Sequence, residues 1–520
     1  MKTPCDEAVI HAQSAAAPCR AAQAPWILAA TVIGSSMAFI DSTVVNVALP
    51  ALQQALGASV VGVQWVVESY GLALAALILV GGSMGDLFGR RRMFLLGVTV
   101  FATASVACGF AFNITQLIAA RAVQGIGAAF LVPGSLALIS ASFDETERGK
   151  AIGTWSGSTA ITTAIGPVLG GWLIEHLSWR WVFFINVPLA IAVIVLGLWY
   201  APESRSGQRT RIDWPGAAAA TFSLSGLVFG FVESSRLGWR NPIVITMLMV
   251  GIAGPLVFLF IESRSESPMV PPRLFRSQAF SGANLLTLFL YAAIGIFFFI
   301  LPLNLIQVRR YSATAAGAAI LPLILLMFLL SRWSGGLVHR YGARLPLIVG
   351  PVIAGTGFLL FSVPSVAGSY WTAFFPAILT LGFGMAVSVA PLTTTVMGAV
   401  DEDHVGTASG INNAVARVAG VLAVACLGAA MLGVFRGQLD RQLQRIAMPS
   451  QVRLELESNA IRMAALEPPS TVSAETAGAI RHAILSSFVF SFRLVMVICG
   501  ALAWLGAATA WWMIPAPTKS

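Results

Sequence analysis

The chain has 520 residues, 57% of them hydrophobic and only 10% charged, with a mean hydropathy of +0.82. No water-soluble protein of this length could hide so much apolar surface, so the composition excludes a soluble chain and places this one in a bilayer. The net charge of +9 does not point to nucleic acid: most of it falls in thin loops between apolar runs, where it sets topology and meets anionic lipid.

Residues 1–25 form an Ala-rich polar tail. The apolar run that follows is too long for a signal-peptide core, so no cleavage is expected. Runs of about 20 apolar residues, the length that crosses a hydrocarbon core, predict helices at 26–49, 61–82, 93–112, 117–141, 149–174, 181–200, 213–232, 242–262, 280–302, 314–334, 345–363, 371–396, 405–434 and 486–513. That is about fourteen spans, and an even number puts both termini on one side. Arg90 to Arg92, Arg148, Lys150, Arg205, Arg209, Arg211, Arg273, Arg276, Arg340 and Arg344 all fall in loops on one face. The opposite short loops carry only Arg180, Arg236, Arg240, Arg309 and Arg310, so the positive-inside bias predicts cytoplasmic termini. Trp26, Trp65, Trp172, Trp179, Trp214, Trp239 and Trp371 fall at span ends, as an interfacial aromatic belt requires.

Two motifs occur twice. The loop with Gly82, Asp86, Gly89, Arg90, Arg91 and Arg92 returns as Gly335, His339, Arg340, Gly342 and Arg344. Gly125-x-Gly127 followed by Asp144, Gly149 and Gly153 returns as Gly382-x-Gly384 followed by Asp401, Gly406 and Gly410. Repeated apolar helical units of this kind mark a secondary transporter. The reading is an all-α polytopic membrane protein. It comprises a tail (1–25), a six-helix bundle (26–200), a linker with two inserted helices (201–279), a second six-helix bundle (280–513) with an external loop (435–485), and a tail (514–520). In that loop Phe435, Leu439, Leu443 and Ile446 recur at helical spacing. The pattern suggests an amphipathic extension along the membrane surface, with a solvated connector as the alternative.

Asp41, Glu68 and Arg121 are ionisable residues inside apolar spans, which are costly there and functional by default. Asp41 is the expected proton-coupling residue: burial favours its neutral form and Arg121 its ionised form, so it can exchange a proton as a cavity opens and closes. A fixed Asp41–Arg121 pair that only staples helices, and an interfacial position for Glu68, stay open. Asp86, at the end of a span beside arginines, suits a latch that forms in one conformation and breaks in another, with Gly82 and Gly89 allowing close backbone approach. Arg417, after Asn412 and Asn413, should face the interior, where the three are candidate substrate-cavity residues; bonding of Arg417 to helix carbonyls is the alternative to substrate contact. Tyr291 and the run Phe297 to Phe299, Phe298 included, either line a cavity or face lipid. Five cysteines show neither a disulfide framework nor metal spacing. His404 beside Asp401, Glu402 and Asp403 is too isolated for a metal site. With no phosphate loop, ATP hydrolysis has no seat, and neither an enzyme nor a cofactor is expected.

Five segments together carry a family resemblance: Asp41 to Pro50; the loop from Gly82 to Arg92; Arg121-Ala-Val-Gln-Gly125-Ile-Gly-Ala-Ala129; Gly166-Pro-Val-Leu-Gly-Gly171; and Ser178 to Pro188. The chain resembles the fourteen-helix drug:proton antiporters of the major facilitator superfamily, of the EmrB and QacA type. The resemblance implies a major facilitator fold in a bacterial inner membrane and export of small lipophilic compounds, cations among them, driven by the proton gradient. It makes Gly166, Pro167, Gly170 and Gly171 the antiporter hinge. It also implies a chain active as a monomer, with a periplasmic adaptor and an outer-membrane channel as partners in some relatives. Two positions depart from the pattern. His339 stands where an acid is usual, which implies a weaker or differently tuned gate in the second half, and Thr162 stands where the fuller hinge motif often has glycine. A single-metabolite exporter, an uptake carrier and a membrane sensor remain alternatives.

Overall fold

A computed structural model describes residues 23–143, 145–205, 212–265, 268–363, 369–400 and 405–515. The acidic run with His404, Asp144 of the repeat, Arg209, Arg211 and Cys5 and Cys19 of the tail lie outside the described residues. Among those residues the protein is all helical. The long helices are α1 (Ala24–Ala55), α2 (Val60–Phe88), α3 (Arg90–Gly109), α4 (Ile114–Ser142), α5 (Glu145–His176), α6 (Trp181–Tyr200, broken at Ile185), α7 (Trp214–Leu237), α8 (Pro242–Arg264), α9 (Gln278–Val308), α10 (Ala313–Tyr341), α11 (Arg344–Leu360), α12 (Phe375–Gly398), α13 (Val405–Leu443) and α14 (Ala474–Met513). Twelve are long and apolar enough to cross a membrane; α5, with its charged first turns, and the 17-residue α11 are outside that set. Short polar residues start many of them. Ser59, Asn113, Asp213, Ser312 and Ser473 each accept a bond from a backbone N–H of the first turn, which satisfies a donor the helix leaves orphaned.

The packing repeats. In the first half α4 packs on α2 and α3, α1 on α5 and α6, and α3 on α6; α12 packs likewise on α10 and α11, α9 on α13 and α14, and α11 on α14. The repeated glycines explain why the pattern was kept twice. A Cβ at Gly127 would lie 2.5 Å from the Phe101 backbone nitrogen, and one at Gly384 would lie 2.3 Å from that of Ala354. Each glycine thus lets α4 or α12 touch the backbone of its neighbour, which no other residue permits. The halves meet where α5 packs on α10, α2 on α13 and α1 on α9, and α7 lies against both α2 and α13.

The end opposite the basic loops is closed over by the segment after α13. Phe435, Leu439 and Leu443 are fully buried, so the amphipathic extension exists, but its apolar face packs into the protein rather than lying on the membrane. The reason is the chain that follows. Val452 and Leu456 of the short helix Ser450–Ser458, with Met463, Ala464 and Leu466, fold back and join the same core. Gln307 of α9 donates to Gln53 of α1 (2.9 Å), and Gln53 donates to the Arg462 carbonyl (3.3 Å), linking both halves to this cover. The belt is partly corrected too. Trp26, Trp172, Trp214, Trp239 and Trp371 are exposed, whereas Trp179 is buried beneath Arg180 and Trp65 donates to Glu233 (2.9 Å).

Candidate functional site

Asp41 and Arg121 are both buried, at 0% and 1% exposure, and form an ion pair between α1 and α4. In an apolar span each charge alone would be prohibitive, so each must be matched by bonds. Arg121 also donates to the Gln124 side-chain oxygen (2.8 Å) and, through Nε, to the Val66 carbonyl (3.2 Å), and its guanidinium carbon stands 4.2 Å from the Tyr70 ring centroid. Gln124 donates to Asp41 (2.9 Å) and to the Ser105 hydroxyl (3.3 Å), and Asn186 donates to Ser105 (3.0 Å) and reaches Asp41 at 3.5 Å. Donors from α4 and α6 thus converge on one carboxylate of α1, with Ser105 of α3 holding two of them in place. Sequence reading named the pair but missed Gln124, Ser105 and Asn186. Gln124 and Asn186 stand within motifs already quoted, as polar residues in apolar runs, and that was the available signal.

Glu68 is buried at 1% exposure, not interfacial, and neither carboxyl oxygen has a hydrogen-bond partner. Four residues before it Gln64 donates to the Val424 carbonyl of α13 (2.8 Å), and three residues after it a Cβ at Gly71 would meet Val421 at 2.8 Å. Helical spacing puts Glu68 on that same face, at the seam between the halves.

The glycines of α5 serve two neighbours. A Cβ at Gly166 or Gly170 would strike Thr43 Oγ1 (2.2 Å) or Val44 Cγ1 (2.6 Å) of α1, and one at Gly171 would strike the Ala313 carbonyl of α10 (2.5 Å). On the α10 side, a Cβ at Gly317 would lie 2.2 Å from the Pro167 carbonyl oxygen, and Glu175 accepts from the Thr314 N–H (2.7 Å). Gly317, Glu175 and Thr314 are additions to the expected hinge. Because alanine favours a helix more than glycine does, any harm from Gly317→Ala must come from the clash. The variant should separate α5 from α10 at a cost of about 1–3 kcal/mol, read as faster maleimide labelling of Thr314→Cys. Labelling at the unsubstituted rate would show that the seam absorbs the methyl.

The two basic loops turn alike, on Gly89 at φ +117° and Gly342 at φ +73°, a region that favours glycine. Asp86 accepts from Arg90 through Nε (3.1 Å) and Nη2 (3.0 Å). Close approach belongs not to Gly82, whose Cβ would meet only Pro133 at 3.7 Å, but to Gly81, whose Cβ would lie 2.0 Å from the Ala129 carbonyl oxygen. The linker supplies a partner the sequence did not suggest. Glu203 accepts from the Arg91 backbone N–H (3.2 Å) and lies 3.8 Å and 3.6 Å from the Nε atoms of Arg91 and Arg92. It thereby caps α3, while Arg91 Nη1 donates to the Ala201 carbonyl (2.9 Å). Glu203→Ala should cost about 0.5–2 kcal/mol, as loss of a cap does, and speed tryptic cleavage at Arg91; Arg92→Ala, at an exposed side chain, should lower Tm far less. Equal effects would deny Glu203 the capping role. In the second loop Arg344 donates to the Trp511 carbonyl of α14. Gly335 has open space around it. His339 lies in the last turn of α10, and the expectation resting on its side chain is outside the described residues.

The expected cavity residues divide. Asn412 is committed to its own half, donating to Thr287 (2.7 Å) and Asn284 (3.1 Å) of α9, and exposed Asn413 bonds back to the Ser409 carbonyl. Arg417 reaches the other half, 5.5 Å from the Phe39 ring of α1. Phe297 is core, packed on Phe358 and Phe361, while Tyr291 and Phe298 are half-buried at its edge.

Residues 31–424 match the family model described as Major Facilitator Superfamily. The chain is 32% identical over 499 residues to the tetracenomycin C resistance and export protein of Streptomyces glaucescens, covering 94% of this chain and 91% of that one. It is 36% identical over 430 residues to the multidrug resistance protein Stp of Mycobacterium tuberculosis (strain CDC 1551 / Oshkosh), covering 82% and 79%. Among solved structures, it resembles a bacterial homologue of the human lysosomal transporter Spinster, inward-facing and unoccupied. The TM-score is 0.65 at 17% identity, over 96% of this chain and all of that one, a likeness of fold. With a helical repeat packed twice over and a family match across most of its length, the chain is a multi-span membrane transporter belonging to the Major Facilitator Superfamily.

Proposed function

We propose that the protein is a proton-coupled antiporter of the fourteen-helix EmrB and QacA type, exporting small lipophilic compounds by alternating access. In this reading α5 and α11 join the twelve apolar helices as spans, in a six-two-six arrangement. Both termini and the basic loops are cytoplasmic, in a bacterial inner membrane. The protein acts as a monomer in the lipid bilayer, with no cofactor beyond the gradient, and a periplasmic adaptor with an outer-membrane channel is the partnership to test. Export is supported by relatives named for antibiotic resistance and export.

One observation carries the coupling. Asp41 stands two and three residues before Thr43 and Val44, the α1 side chains against which Gly166 and Gly170 of α5 are pressed. When Asp41 takes a proton, its bond to Arg121 loses its charge and α1 is released. With the proton taken up from outside, Thr43 and Val44 settle against α5 and the α5–α10 seam closes at the outer end. Deprotonation toward the cytoplasm restores the pair, and substrate loaded from that side reopens the outer seam. Asp86 with Arg90, and Glu203 with the start of α3, are the latch that forms and breaks at the inner end. Glu68 holds a second proton at the α2–α13 seam.

The test is transport in inside-out vesicles energised acid-inside, with a panel of lipophilic dyes. Dye should accumulate, and a protonophore should abolish the accumulation. Flux that ignores the gradient, or runs in the uptake direction, would overturn the reading.

A further inference from the structure

A second polar cluster lies at the junction of the halves, and the proton chemistry does not use it. Arg417 of α13 rests on Phe39 of α1, and among the described residues it makes neither an ion pair nor a hydrogen bond. Two phenols stand on the helices packed there: a Cβ at Gly71, beside Tyr70 of α2, would meet Val421 of α13 at 2.8 Å, and one at Gly295, a turn beyond Tyr291 of α9, would meet Gly420 at 2.7 Å, each contact about one turn from Arg417. The Tyr70 hydroxyl is buried without a partner, and the Tyr291 hydroxyl makes no hydrogen bond among the described residues. Asp41, two residues after Phe39, is already held by Arg121, Gln124 and Asn186.

Arg417 and the two phenols, contributed by both halves, therefore meet at one seam with donors unspent, and the carboxyl of Glu68 at that seam carries a proton in the export reading. A guanidinium over an aromatic ring recovers part of its lost hydration but keeps all its donors unspent. Arg417 is half-buried, so its charge is only part-hydrated, and an incoming oxyanion would match it and satisfy the phenols at once. A cationic ligand would be repelled. We propose that Arg417, Tyr70 and Tyr291 form a substrate subsite selecting lipophilic compounds that carry an oxyanion, with Arg417 matching its charge and the two phenols donating to it. This rests on the export reading and narrows its substrates away from cations. Because the donors come from both halves, the subsite is whole only while the halves are juxtaposed, and alternating access dismantles it.

The experiment is equilibrium binding to the purified full-length protein, with no pH gradient, of one aromatic scaffold carrying a carboxylate, a carboxamide or an amine. The carboxylate should bind about tenfold or more tighter than the other two, the scale of a hydrogen bond to a charged group. Arg417→Gln should cut carboxylate affinity by about tenfold or more and carboxamide affinity by less than about threefold. Arg417→Lys should fall between the two, which also guards against mere misfolding. No carboxylate preference in the unsubstituted protein, or equal loss for all three ligands in Arg417→Gln, would overturn the proposal. If binding follows the expected pattern but the vesicle assay finds no gradient-driven flux of any of the three, the export reading fails and the oxyanion subsite stands.

Discussion

Asp41→Asn should reduce gradient-driven efflux to the level seen with a protonophore, while the protein still folds and still binds substrate. Asparagine keeps the volume of the site, and its carbonyl oxygen can go on accepting from Arg121. Arg121 also retains the Val66 carbonyl, the Gln124 oxygen and the face of Tyr70, so its charge is not left bare. What the variant lacks is a proton to exchange. Substrate-driven exchange without a gradient should persist, because alternation with cargo bound needs no proton. Efflux at the unsubstituted rate would remove Asp41 from the coupling path, and loss of substrate exchange as well would make its role structural.

Arg121 should give the larger loss of stability. Taking one partner out of a buried ion pair typically costs about 3–5 kcal/mol, because the other charge is left uncompensated. Arg121→Gln should therefore lower Tm sharply and abolish efflux. Arg121→Lys keeps the charge but loses the planar fork that serves Asp41, Gln124 and Val66 together, and should retain part of both. The double variant Asp41→Asn with Arg121→Gln separates a staple from a coupling pair. Neutralising both partners should recover most of the lost stability with no return of gradient-driven efflux. If efflux returns with stability, the pair only fastens α1 to α4 and the proton route runs elsewhere, with Glu68 the next place to look.

Much of this architecture is written in one dimension. Bilayer thickness fixes how long an apolar run must be, and helices occupy the segments that such runs marked. An ionisable residue within such a run stands out by cost alone, which is why Asp41 and Arg121 were legible before their contact was known. Gly127 and Gly384 were legible because the two halves repeat, and a glycine kept in register signals a backbone that must be approached.

What the run of residues could not supply was direction around the helix axis. A helix apolar on all sides has little amphipathic contrast to say which face meets which neighbour. Depth along α4 was readable; that Gln124 turns with Arg121 toward Asp41, and that Ser105 and Asn186 arrive from α3 and α6, was decided by packing. The same limit hid Gly81 behind Gly82 and put Phe297 into the core. Partners far away in sequence were hidden too: Glu203 looked like linker until it capped α3. The stripe from Phe435 to Leu443 looked fit for a membrane surface until Leu456 and Met463 folded over it. Composition and periodicity determined that this chain spans a membrane as two copies of one helical unit. Only the tertiary structure decided which polar groups face one another, because partner choice depends on how helices rotate against each other, and apolar surfaces leave that rotation to close packing.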